Sequence, residues 1–386
     1  MNFNEELDSE LEKLKSAGLY REMKMVSGEP GRDITVLGRK CLNFSSNNYL
    51  GLAAHPAVKQ AAAEALAKYG AGGTSSRLVA GTLEVHETLE QKLASHKRSG
   101  KALVYPSGYQ ANAGIIAALV KEGDCVIMDR LNHASLWDGA KLSGARIFVY
   151  PHLDAEGLEK TLKRAKIYKR ILVITDSVFS MDGDIAPLKT IVALSKRYGA
   201  VTMIDEAHST GILGEHGRGL AELAGVEGQV DIIMGTLSKA LGSQGGFVCG
   251  SKELIGYLVN KSRPFIYSTA LAPASGAAAL KALEISEKEP ERRSRLNALS
   301  AALRGKLKAL GIDTGASETQ IIPAVFGSLE KTLTLSKILF DSGVFAPAIR
   351  PPTVPEGQCR LRFSLTSDHT REDIDKLINV IGGNRA

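Results

Sequence analysis

Seven short apolar runs recur between residues 100 and 250: ALVY (102–105), CVIM (125–128), RIFVY (146–150), ILVIT (171–175), VTMI (201–204), DIIMG (231–235) and GFVCG (246–250). They are rich in β-branched residues, and several are separated by helix-like stretches such as PLKTIVALSKRYG between the fourth and fifth. Strands alternating with helices predict an α/β fold with a mostly parallel, seven-stranded sheet covered on both faces. In such sheets a ligand sits beyond the carboxyl ends of the strands. The residues that follow each run are therefore where chemistry is sought.

The flanks read differently. An N-terminal helix and the extended piece CLNFSSNNYLG precede a helix from about Pro56 to Tyr69. The charged stretch SEKEPERRSRLNAL marks a boundary, followed by helix, the strand QIIPAVF, helix, and the strand CRLRFSLT. A chain of 386 residues exceeds one minimal core. The expected division is an N-terminal helix and extended segment (1–48), a large cofactor-binding domain (49–284) and a smaller α+β C-terminal domain (285–386).

Composition narrows the function classes. No apolar run approaches the roughly 20 residues that span a bilayer, and the start, MNFNEELDSELEKLKSAG, lacks an apolar signal core. The expectation is a cytoplasmic protein without membrane association. Cys41, Cys125, Cys249 and Cys359 are widely spaced, so neither a zinc site nor a redox pair is expected. The net charge of +6 comes from 48 basic residues dispersed among 42 acidic ones, which argues against nucleic acid. The densest basic cluster, KRAKIYKR at 163–170, reads as a solvated helix end. What the charge leaves open is attraction for a phosphate-bearing substrate or an acidic carrier.

Two strand ends carry an unusual set. VTMI runs into Asp205, Glu206, Ala207 and His208, and DIIMG runs into Thr236, Leu237, Ser238 and Lys239. A lone lysine would be read as a capping charge. Beside an acid and an imidazole it points to pyridoxal chemistry, because a lysine amine condenses with an aldehyde while a buried aspartate keeps a pyridine nitrogen protonated. After ALVY, a turn through Gly108 and Tyr109 opens an apolar helix whose free amides suit a phosphate. After CVIM comes His133, whose ring could stack on a flat cofactor, and after ILVIT comes Ser180, whose hydroxyl could reach it. Each of the last three is ordinary when read alone.

With SSNNYLGL, YPSGYQAN, FSMDGD, DEAHSTGILGEHGRG and TLSKALGSQGG in view, the chain resembles the α-oxoamine synthase family of fold-type-I pyridoxal-phosphate enzymes over nearly its whole length. The resemblance implies that Lys239 carries pyridoxal 5'-phosphate covalently, Asp205 pairs with the ring nitrogen, His208 bonds the ring oxygen and His133 stacks on the ring. It implies that Gly108, Tyr109 and Thr236 contact the phosphate and that Ser180 lines the cofactor site. It further implies a homodimer with active sites at the subunit interface, and Arg263–Thr269 is the candidate segment for that interface.

The C-terminal sequence APAIRPPTVPEGQCRLRFSLTSDHT is similar to family members that condense L-alanine with a pimeloyl thioester, carried on coenzyme A or a carrier protein, in biotin synthesis. By that resemblance Arg362 would bind the amino-acid carboxylate through its planar fork, Asn47 and Arg21 would line the substrate site, and Thr353 would face the thioester. Arg350 or Arg21 would meet the distal carboxylate of the acyl chain. Asn48 departs from the aspartate common at that place in the family. The alternative within the family is condensation of glycine with an acetyl thioester.

Three other readings compete. Asp205–His208 spells the DEAH box of nucleic-acid motors, but no GxxxxGK[ST] phosphate loop accompanies it. Residues 207–211, AHSTG, miss the GxSxG hydrolase elbow by one position, with no separate acid identified. An aminotransferase of the same fold would share every cofactor residue and is separated by deaminating alanine without consuming thioester.

Overall fold

The computed structural model describes residues 2–384. They fall into two compact units, one holding residues 47–180 and 184–296, the other holding the described residues up to Ser46, residues 181–183 and those from Asn297 onward.

The first unit is built on a seven-stranded sheet. Its strands are β1 (Lys101–Tyr105), β2 (Cys125–Asp129), β3 (Arg146–Tyr150), β4 (Ile171–Asp176), β5 (Val201–Asp205), β6 (Ile232–Thr236) and β7 (Gly246–Gly250). These match the seven apolar runs to within a residue at most ends. Their order across the sheet is β1-β7-β6-β5-β4-β2-β3. All pairings from β6 to β3 are parallel, while β7 runs antiparallel to both β6 and β1. Because β7 reverses twice, β1 points the same way as the parallel set. The carboxyl ends of β1, β2, β4, β5 and β6 therefore share one edge, which is where a ligand crevice forms.

The central strands are buried along their whole length, as every residue of β2, β4 and β6 shows. That is why the runs are continuously apolar rather than alternating. Helix Gly108–Leu119 covers one face with Ala111, Ile115 and Ile116, packed in a core with Val126, Ile174, Met203 and Met234. Its start is fixed by Ser107, whose hydroxyl accepts the Gln110 N–H at 3.2 Å. The helix entrance presses onto the sheet: a Cβ on Gly246 would lie 2.6 Å from Gly108 Cα. Glycine at both places lets the turn approach the strand ends. All four cysteines are buried and free, and Lys169 is exposed with its neighbour Ile167, as the solvated helix end required.

The second unit contains the antiparallel ladder of Ile321–Gly327, Cys359–Ser364 and Ala348–Ile349. A four-stranded sheet joins Val26–Ser27, Asp33–Val36, Arg39–Asn43 and Val344–Phe345. The N-terminal segment thus shares a unit with the C-terminal region, through a parallel pairing of Leu42 with Val344. No helix among the described residues is long and apolar enough to cross a membrane.

Candidate active site

At the carboxyl edge of the sheet lies a cavity of about 250 Å³. Lys239, Asp205, His208, His133, Thr236, Gly108 and Tyr109 all line it. Seven of the expected cofactor residues, drawn from four strand ends, are thus brought to one place. Ser180 is half-buried on the loop after β4 and lies outside this lining. A larger groove of about 650 Å³ sits at the opposite ends of the strands, beside Arg98, Arg170 and Asp231, and holds neither imidazole nor lysine among its described lining residues.

Asp205 ends β5 and is buried. Its carboxylate accepts from Asn112 Nδ2 at 2.7 Å and from the Ala207 amide at 2.8 Å, both neutral donors. Asp176 is its cross-strand neighbour and accepts the His133 N–H at 2.8 Å. Burial pushes the Asp176 carboxyl well above its ordinary range, and the charge of Asp205 pushes the same way. His133 caps the helix Ala134–Ser143 through its ring. Burial holds its pKa below the usual imidazole range, against the pull of Asp205.

Lys239 Nζ lies 2.8 Å from His208 Nε2, and His208 Nδ1 lies 2.7 Å from the Tyr49 hydroxyl. Tyr49 in turn donates to Asn47 Oδ1 at 3.0 Å. The lysine amine is therefore wired through an imidazole to a residue expected in the substrate site. Thr236 Oγ1 donates to Gly245 O at 2.8 Å and pairs with the Ser238 hydroxyl at 2.8 Å. The opening turn of helix Gly108–Leu119 leaves its first amides free for an anion, with the helix dipole behind them. A Cβ on Gly108 would come within 3.0 Å of Met234 Cε and 3.5 Å of Thr236 Oγ1, so glycine keeps this cradle open.

The remaining expected residues belong to the other unit. Arg21 donates to Thr353 Oγ1 at 3.1 Å, joining two positions far apart in sequence. Both line a cavity of about 810 Å³ together with Lys15, Lys24, Arg350 and the apolar Phe345 and Ile349. Arg362 is buried on Cys359–Ser364 and donates to Ser364 Oγ at 2.8 Å.

The competing motifs have other duties. Glu206 is fully buried against Lys97, Nζ to Oε2 2.5 Å, and accepts the Ala221 N–H, so it is committed to the core. Ser209 is buried and its hydroxyl donates to Ser177. Among the described residues no group of three or more His, Cys, Asp or Glu is placed to hold a metal ion.

The loop after β4 folds back through a bridge between Val178 and Ile185. His152 fastens it, with Nδ1 2.9 Å from Asp129 and Nε2 2.8 Å from Asp184. Burial opposes the charged ring, but hydrogen bonds to the two carboxylates prevail and push its pKa up to about 9. A histidine raised above its unfolded value of about 6.5 adds stability that is full below that value and lost as pH climbs through the folded one. His152→Gln is expected to flatten the decline of stability between roughly pH 6.5 and 9, read from urea midpoints. An unchanged decline would show that this clamp carries no linked proton.

Sequence reading passed over Asn112, Ser135, Asp176 and Tyr49. Asn112 was within reach, since it stands four residues after Gly108 and so on the same helix face. Asp176 was too, since it follows directly on ILVIT as Asp205 follows on VTMI; Ser135 and Tyr49 carry no such signal in their local sequence.

The site fits pyridoxal phosphate on this chain's own features. A buried carboxylate held by neutral donors calls for a cation, an amine stands in the same cavity, and a glycine-floored helix entrance offers amides to a phosphate. The aminotransferase class I and II family matches residues 39–381. The 8-amino-7-oxononanoate synthase of Geobacter sulfurreducens is 48% identical over 371 residues, covering 96% of this chain and 95% of its own. Serine palmitoyltransferase from S. paucimobilis, solved with PLP and myriocin bound, superposes with a TM-score of 0.94 at 33% identity, covering 99% of this chain and 98% of that one. The 8-amino-7-oxononanoate synthase of Francisella tularensis matches with a TM-score of 0.78 at 28% identity, covering 89% of this chain and 98% of that one.

Proposed function

The chain belongs to the class I and II aminotransferase family, and from that premise we propose that it is a pyridoxal-phosphate-dependent acyltransferase of biotin synthesis. It condenses L-alanine with a pimeloyl thioester to give 8-amino-7-oxononanoate, carbon dioxide and a free thiol. The observation that carries this reading is the meeting of Lys239, Asp205, His133 and His208 in one cavity. Near half-identity over 96% of the chain to an enzyme of that name supports it.

When bound, pyridoxal phosphate supplies a protonated ring that takes up the electron pair left when the Cα–H bond of the amino acid breaks. The protein does the rest. The Lys239 amine removes the Cα proton, and its contact with His208 gives that proton an onward partner. Asp205 stabilises the positive ring nitrogen from within a buried, hydrogen-bonded setting. His133 would pack on the ring and His208 would bond its oxygen, while Ser180, outside the cavity lining, would reach it only from the loop after β4. The amides at Gly108 and Tyr109 would hold the phosphate, and the Thr236 hydroxyl would join them by turning its proton away from Gly245 O. Arg362 receives the alanine carboxylate as a two-point fork. Asn47 stands at the substrate site, linked to His208 through Tyr49. Alanine's Cα exchanges its proton for the acyl group as the thiol departs, the alanine carboxyl leaves as carbon dioxide, and the Lys239–His208 pair returns a proton to that carbon in its place.

For the acyl partner, the cavity at Arg21 and Thr353 combines apolar walls with Lys15, Lys24 and Arg350. Such a lining suits a chain ending in a carboxylate, or the phosphates of a carrier, better than an acetyl group. We place the thioester against Thr353 on this ground.

Two copies per enzyme are part of the same reading. Leu78, Val79 and Tyr267 are exposed by 51%, 82% and 70%, and a bridge between Ser76 and Thr269 joins the two segments that carry them, the second being Arg263–Thr269. Four buried free thiols accord with a cytoplasmic location.

The superposition on serine palmitoyltransferase favours a second reading, in which serine replaces alanine and a longer acyl chain enters. Turnover with alanine, glycine and serine against short and long acyl thioesters decides between them. Alanine with the pimeloyl thioester is expected to exceed every other pair. A tenfold preference for glycine with acetyl-coenzyme A, or for serine with a longer chain, would reject the biotin assignment and leave the cofactor site intact.

A further inference from the structure

Three hydrogen bonds in the cavity wall admit one polarity. Asp205 Oδ2 is 2.7 Å from Asn112 Nδ2, and a carboxylate only accepts, so the amide nitrogen must face it. The same nitrogen sends its second N–H to Ser135 Oγ at 2.9 Å. Ser135 Oγ lies 2.8 Å from His133 Nδ1, and because a hydroxyl both donates and accepts, the direction of this contact is set by the other partner of Nδ1. The Ser135 backbone N–H, 3.3 Å from Nδ1, can only donate. Two donors therefore aim at Nδ1, and a neutral ring must carry its proton on Nε2. The arrangement is maintained against a cost, because Asn112 Oδ1 is buried and has no partner among the described residues. Rotating the amide would relieve that oxygen only by setting it against the carboxylate.

We infer that Asn112 and Ser135 are positioning residues that tie His133 to Asp205 and hold its ring neutral, with the proton on Nε2, at the cavity wall. This rests on the cofactor reading above for its purpose: a neutral imidazole lies against a positively charged pyridine ring without repulsion, leaving that charge to Asp205. The charged and titratable groups facing His133 are Asp205, Lys239 and Asp138, with Asp176 on its backbone N–H and His208 lining the same cavity. Burial disfavours the imidazolium in the same direction.

The test is the His133 ring itself, followed by long-range ¹H–¹⁵N spectra of the full-length chain labelled at histidine, with and without pyridoxal phosphate. The signal is assigned by its loss in His133→Gln. The unaltered protein should show the neutral Nε2–H form from about pH 6 to 8. In Asn112→Asp the new carboxylate draws the Ser135 proton to itself, so the His133 pKa should rise by about one unit or more. Ser135→Ala removes one of the two donors at Nδ1 and leaves the backbone N–H, so the Nδ1–H form should become populated beside the Nε2–H form, and Ser135→Thr, which restores a hydroxyl, should return the original pattern. If Asn112→Asp fails to fold, the Ser135 pair decides. An Nδ1–H ring in the unaltered protein, or ring signals unmoved by Ser135→Ala, would overturn the inference. A chain that binds no pyridoxal phosphate would instead defeat the functional reading, while the spectra without cofactor still decide this one.

Discussion

Replacing Lys239 with alanine is expected to reduce turnover by roughly 10³-fold or more, since one group would be lost as both cofactor anchor and proton carrier. Among the described residues, Lys239 is the lysine that lines the cavity. Its amine sits 2.8 Å from His208, so the two act on one proton. The variant should stay folded, because Lys239 is only half-buried and lies in a loop rather than in the core of the sheet. Borohydride reduction followed by peptide mass analysis should find the cofactor on Lys239 in the unaltered protein and nowhere in the variant. Cofactor trapped on a different lysine would sink the assignment.

Asp205→Asn should cost on the order of 10²–10³ in kcat while leaving the cofactor bound. The substitution keeps the shape, and the asparagine oxygen can still accept from Asn112, at the loss of the Ala207 N–H bond to the other oxygen. What disappears is the negative charge that makes a protonated ring nitrogen favourable. Asp176, one strand away, is a poor substitute, because its burial still favours the protonated form once the charge of Asp205 is gone. Binding and catalysis should therefore separate: pyridoxal phosphate titrates in almost as before, and the exchange of alanine's Cα proton with solvent slows with kcat. Near-normal exchange in this variant would show that Asp205 does not stabilise the ring charge.

These two residues were legible before any coordinates, and the reason is local. Asp205 follows directly on an apolar run and Lys239 stands in the loop just beyond another, and a strand end is a property of contiguous residues. The same holds for Gly108, marked by a serine cap and an apolar helix, and for the central strands, whose burial writes itself as uninterrupted apolar, β-branched sequence. Arg21, Thr353 and Arg362 were reached only through resemblance to a family. Nothing in the residues around Arg21 announces that its guanidinium will meet a hydroxyl from the Pro-rich turn.

The DEAH sequence shows the limit from the other side. As a string it fits a magnesium site, yet Glu206 is consumed by Lys97, a partner 109 residues away. A motif specifies side chains but not which groups will reach them. Asn112, Ser135 and Tyr49 make the same point, since each matters through the donor or acceptor it faces.

By itself, the sequence determined the seven strands, the shared direction implied by strand–helix alternation, and the presence of an amine, an acid and imidazoles at strand ends, all of which follow from short-range periodicity and position. Tertiary structure alone decided the strand order and the antiparallel β7 that aligns β1 with the rest. It also decided the union of Lys239 with His208 and of Asp205 with Asn112, and the tautomer of His133. The physical reason is that a buried polar group takes its role from the partner that satisfies it, and here that partner arrives from another strand or helix, as Asn112 does across 93 residues.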